Sequence, residues 1–171
     1  VSGRRVERAE RTWNAVRTLA HSPADVMRWL LVGLGLASDP RQVLTWPGWT
    51  AGEPKVPDNV ITTYDTVGTD DGSVMIGGRG ELQGHYGFLV RVRASSAPVG
   101  WAKANAIRAN LAETVYDNTV VVPTAGSVAG ATYTVENCAN IGHVMCLGTD
   151  AANEKQFLFT VNAVATINQV A

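Results

Sequence analysis

The stretch "FLVRVRASS", residues 88–96, alternates with a period of two. Phe88, Val90, Val92 and Ala94 fall on one side; Leu89, Arg91, Arg93 and Ser95 fall on the other. Successive side chains of a strand leave opposite faces of a sheet, so this is the pattern of a half-buried strand. One face calls for a core. The other carries two arginines in mid-strand, and what they meet decides the use of the sheet's second face.

Working outward, "NVITTYDT" (59–66) predicts a strand before it, and "VGTDDGSVMIGGRGELQG" (67–84) a long hairpin or loop between the two. "APVGWAKANAIRANLAETVYD" (97–117) predicts a helix with Trp101, Ala104, Ile107, Leu111 and Val115 on its buried face. Strands are predicted at 118–123, 132–138 and 155–167, with a turn at 125–131 and an irregular stretch from 139 to Leu147. In the last strand Phe157, Phe159, Val161, Ala163, Ala165 and Ile167 share a face. Upstream, Ser22, Pro23 and Asp25 form a helix start, and Val26, Met27, Leu30, Leu31 and Leu34 make a broad apolar stripe that Gly35 ends. Residues 37–58 read as a long connection rich in proline.

Residues 4–20 predict an amphipathic helix, with Val6, Ala9, Trp13, Val16 and Ala20 on one face and Glu7 and Arg11 spaced i,i+4 on the other. This gives an N-terminal helical extension (1–21) and a single domain (22–171). The order of elements suits an α+β fold: two layers, a mostly antiparallel mixed sheet with helices packed on one face. In that layout Arg91 and Arg93 lie on the face the helices leave open.

The 171 residues carry a formal charge of -1, which speaks against a general nucleic-acid coat. Charge is uneven. Residues 1–28 hold six arginines against Glu7, Glu10 and Asp25, whereas 111–171 hold five acids against Lys155. Eleven of the fourteen basic residues are arginine, whose planar fork pairs well with carboxylates at interfaces. "RWLLVGLGLAS" (28–38) is too short to span a membrane and follows a helix-start signature, so it reads as a buried helix.

Chemistry-bearing patterns are sparse. Cys138 and Cys146 fit no zinc or thioredoxin spacing and read as free thiols. His21, His85 and His143 have no metal-ligand partner at helical or hairpin spacing. "GGRGELQG" (77–84) precedes no helix and lacks the Gly-Lys-Ser/Thr ending of a phosphate loop. "DTVGTDDG" (65–72) lacks the closing Glu of a calcium loop. No catalytic residue, metal or cofactor is expected. "WPGW", with Trp46 and Trp49, and the pair Arg91 and Arg93 are candidate protein-interface residues, because exposed aromatics and arginine are typical of interfaces.

Taken in order, "SPADVMRWLLVGLGL", "WPGW…VPDNVITTYDTVGTDDGSVM", "GFLVRVRA", "GWAKANAIRANL", "TYTV" and "LGTD…FLFTVNAVATI" resemble the tail terminator (minor capsid, tail completion) proteins of long-tailed bacteriophages. The resemblance covers residues 22–167. It implies a compact α+β domain and a homo-oligomeric ring, hexameric in that family, on the head-proximal end of the tail tube. Such a ring ends tube polymerisation and offers the surface for head–tail joining. The implied partners are further copies of the chain, the tail tube protein and the head connector or stopper protein, with DNA only passing through the channel and no membrane. The implied location is the head–tail junction of the virion, after assembly in the host cytoplasm. Asp70, Asp71, Arg79 and Glu81 of the 67–84 loop join the candidate interface residues, and Arg91 and Arg93 are expected to pair with carboxylates of a neighbouring subunit or tube protein. A neck or head-completion protein of the same virion, a small enzyme with an unfamiliar site and a nucleic-acid-binding module are the rival readings.

Overall fold

The computed structural model describes residues 19–70, 74–76, 79–81, 84–150 and 153–170. The expected helix at 4–20, except its last two residues, lies outside this set. Leu19 to His21 are already tied to the domain. Leu19 packs against the core. Ala20 N–H donates to Gln169 (3.0 Å), and His21 N–H donates to the buried Tyr133 hydroxyl (3.0 Å).

α1 (Pro23–Gly33) starts as its sequence predicts. The Ser22 hydroxyl accepts from the Asp25 N–H, proline occupies the first turn, and Gly35 takes the left-handed conformation (φ 70°) just past the end. Sheet residues fix its first turn: Asp65 accepts from the Ala24 N–H (2.8 Å), and the Thr63 hydroxyl donates to the Ala24 carbonyl (2.7 Å). The Asp25 carboxylate accepts from the Thr50 hydroxyl at 3.0 Å and faces Arg28 at 3.7 Å.

The strands are β1 (Gly48–Thr50), β2 (Val60–Asp70), β3 (Val74–Ile76), β4 (Arg79–Glu81), β5 (Gly84–Ala94), β6 (Tyr116–Val122), β7 (Ala131–Ala139), β8 (Met145–Asp150) and β9 (Asn153–Gln169); α2 (Ala97–Glu113) follows β5. Seven form one sheet in the order β1-β2-β5-β9-β7-β6, with β8 also beside β9; β3 and β4 pair with each other. β1 runs parallel to β2 and the other pairings are antiparallel, so the sheet is mixed and the fold is α+β as expected.

The alternation in β5 has the predicted consequence. Phe88, Val90, Val92 and Ala94 are fully buried under the two helices, together with Val26, Met27 and Leu31 of α1, Ala104, Ile107 and Leu111 of α2, and Phe159, Val161 and Ala165 of β9. Burying a Leu, Ile or Phe side chain here is worth about 1.5–3 kcal/mol.

Four expectations are corrected. α2 ends at Glu113, four residues early, because Val115 turns into β6. Trp101 is half exposed: Gly100 takes the inward position, where a Cβ would lie 2.5 Å from the Phe159 ring, so the Trp101 ring stacks edge-on against Phe159 at 6.2 Å. The irregular stretch ending at Leu147 contains the start of β8, which period-two reading misses because five of its six residues are exposed, on both faces. Finally, the connection 37–58 supplies β1, and its second half lies across the sheet face expected to be open.

Candidate protein-interaction surface

Register places Val60, Arg93 and Leu158 in one row on the face opposite the helices, and Thr62, Arg91 and Thr160 in the next. Val60 is fully buried there and Arg93 is 3% exposed, so this part of the face is covered. The cover is the segment 51–58. Arg93 donates through Nη2 to the carbonyls of Pro54 and Pro57 and through Nε to that of Asp58 (3.4 Å). Its Nη1 lies 3.6 Å from Glu53 Oε2, and Arg91 Nη1 reaches the same oxygen at 3.5 Å. Glu53 is itself largely enclosed, its side chain 13% exposed. Two further bonds pin the segment's end: Gln156 donates to Asp58 (2.6 Å), and Asn59 accepts from the Ser95 N–H (3.0 Å).

The expected open arginine face is therefore corrected. The carboxylate facing Arg91 and Arg93 comes from this chain's own Glu53. Proline-rich backbone favours the arrangement: its prolines remove N–H donors from the segment, and one guanidinium supplies donors to three of its carbonyls. No motif announces Glu53, Asp58 or Gln156. The one available signal was an arginine on a strand facing a proline-rich connection of the right length.

Arg91 keeps a third of its side chain exposed and lies over the Tyr64 ring, 5.0 Å from its centre. Burial, then Glu53, push the Tyr64 hydroxyl above the usual tyrosine pKa, while Arg91 opposes the rise. Glu53 Oε1, Arg91 Nε and the Trp49 indole N–H are buried without a hydrogen-bond partner among the described residues.

The two tryptophans are half-buried, Trp46 in the connection before β1 and Trp49 within β1. Trp46 has φ 53°, packs against the core and carries the Lys103 ammonium 5.3 Å from its ring centre. Burial lowers the Lys103 pKa. Trp49 lies in β1 beside Thr62. Of the loop candidates, Asp70 ends β2 opposite Gly84, Arg79 opens β4 opposite Ile76, and Glu81 faces Val74 across the same hairpin. Asp71 lies outside the described residues. The described candidates therefore do not form one site: Arg91, Arg93 and Trp49 share the covered part of the face, Trp46 lies apart, Asp70 ends β2, and Arg79 and Glu81 belong to the β3–β4 pair.

Among the described residues no cluster of three His, Cys, Asp or Glu is placed to hold a metal. His21 Nδ1 is 2.7 Å from the Tyr133 hydroxyl, and His85 Nδ1 is 2.8 Å from Thr166 Oγ1. Both cysteines are free, and burial pushes the Cys138 thiol up to about 12. No helix among the described residues is long and apolar enough to cross a membrane.

Sequence reasoning missed a different kind of surface. Large apolar side chains are exposed at Tyr116 (79%) and Val121 (64%) in β6, at Met145 (55%) and Leu147 (50%) in and around the edge of β8, and at Val67 (94%) in β2. No family model matches this chain, and a search of curated proteins finds no match either.

Proposed function

We propose that this chain is a structural subunit of a bacteriophage tail, a tail terminator that closes into a ring on the head-proximal end of the tube. It works by assembly and not by catalysis. The ordered sequence resemblance across residues 22–167 supports the specific role. The observation that carries the broader reading is the open outer edge of β2. β1 covers β2 only over Ile61–Thr63. Beyond that point β2 pairs on one side only among the described residues, Val67 is 94% exposed, and the chain goes on into the β3–β4 hairpin. β5 stays paired to β9 as far as His85, so this edge of β2 is held on the sheet and can take an extended segment of a neighbour.

The test uses purified chain and purified tube protein. A terminator halts tube growth and decorates one tube end with a discrete number of copies, near six by the family resemblance. Unchanged tube growth with no end decoration overturns the reading. Binding to the head connector without binding tube ends replaces it with the neck-protein reading.

A further inference from the structure

β9 is flanked on one side by β5 and on the other by two strands in succession. β7 covers Val164–Gln169 and β8 covers Asn153–Thr160, both antiparallel to β9. In the next lane β6 lies beside β7 alone, from Tyr116 opposite Asn137 to Val122 opposite Ala131. No strand among the described residues pairs with β8 on its other side. The sheet therefore has a notch one strand wide: half of its outer lane is filled by β6, and the half beside β8 is vacant. β6 has seven residues and β8 has six, so the filled and vacant halves are of near-equal length.

We infer that the free protein pairs with a second copy of itself through this notch, about a two-fold axis normal to the sheet. Half a turn about that axis brings the second copy's β6 into the vacant lane beside β8. The same rotation puts its β8 beside the first copy's β6. Both notches fill at once, as an isologous contact requires. Strand direction is also fixed. β6 runs opposite to β7, β7 and β8 run the same way, and the rotation reverses the second copy, so each β6 lies parallel to the other copy's β8.

The side chains fit this occupant. Tyr116 and Val121 on β6, and Met145 and Leu147 on β8, are half exposed or more and lie on the two edges that would meet. Neither β6 nor β8 carries a lysine or a proline, the usual guards of a free edge. On the helix face, a groove of about 280 Å³ lined by Trp29, Val32, Leu34, Asn118 and Val120 opens beside β6 and can receive the inner face of the incoming β8. Asn118 and Cys146 lie on that face in their respective copies, since Asn118 pairs with Val135 and Cys146 with Phe159. This pairing concerns the subunit before it meets a tail and does not rest on the terminator reading.

The experiment is native mass by light scattering over a range of concentrations, without tubes. The wild-type chain should be a dimer. Leu147→Lys and Val121→Lys each place a charge on an exposed edge position and should raise the dimer Kd by about tenfold or more. Val43→Lys, an equally exposed site away from both edges, should leave it unchanged. Oxidation of Asn118→Cys should link it to Cys146 of the second copy, and adding Cys146→Ser should abolish the link. A wild-type monomer at every concentration overturns the inference. So does a dimer indifferent to both edge lysines, which would use another surface.

Discussion

Around Arg93 the two faces of the sheet are both covered, by different means. On the helix side the cover is apolar: Ile107, Leu111 and Leu31 join Val90, Val92 and Val161 in one buried cluster. On the opposite side it is a short segment without regular structure, held by one carboxylate, two guanidinia and a set of carbonyls. The first cover is non-directional and tolerates exchange of one apolar residue for another of similar volume. The second depends on donors and acceptors meeting within hydrogen-bond reach, and loses its value when one partner is removed.

The largest expected effect lies on the helix side. Phe88→Ala opens a cavity in the fully buried core and should cost about 3–5 kcal/mol in urea unfolding, with little dependence on salt. Arg93→Ala comes next. It leaves the Pro54, Pro57 and Asp58 carbonyls without their donor and the enclosed Glu53 with Arg91 alone, and should cost about 3 kcal/mol, while Arg93→Lys restores only part of this because an ammonium lacks the fork. Equal tolerance of Arg93→Ala and Arg93→Lys would erase the proposed contrast between the faces.

Arg91→Ala sharpens the comparison within the second face. It shares the same carboxylate but is a third exposed, so its loss should cost about 1 kcal/mol or less and shrink further in high salt. The smallest effect lies outside both faces. Side-chain hydrogen bonds from Arg41 hold the Asp39 carboxyl below the usual aspartate range. A depressed folded pKa adds stability above the unfolded value of about 3.9, and that increment is lost as pH falls through the folded pKa. Asp39→Asn should therefore lower stability slightly at neutral pH and make no difference in strong acid.

This contrast also accounts for what could be read in the sequence. Apolar periodicity marks a buried face wherever it occurs, and so β5, β9, α1 and most of α2 are legible from residue spacing. Trp101 escapes because the close approach of α2 to Phe159 is set by Gly100, and a glycine is silent in a hydrophobic pattern. β8 escapes because a strand exposed on both faces has no alternation to show. The partner of Arg93 escapes for a more general reason. A guanidinium on a strand looks the same whether it meets water, a neighbour or the chain's own loop. Only the path of residues 51–58 in space decides among them.

The central claim is that Glu53 and Arg93 act on each other within one chain. The most direct test is a double-mutant cycle on Glu53→Gln and Arg93→Met by urea unfolding at low protein concentration. The account predicts a coupling of about 1 kcal/mol or more, since each substitution removes a charge partner from the other group in a largely enclosed site. Additivity within about 0.3–0.5 kcal/mol would contradict it.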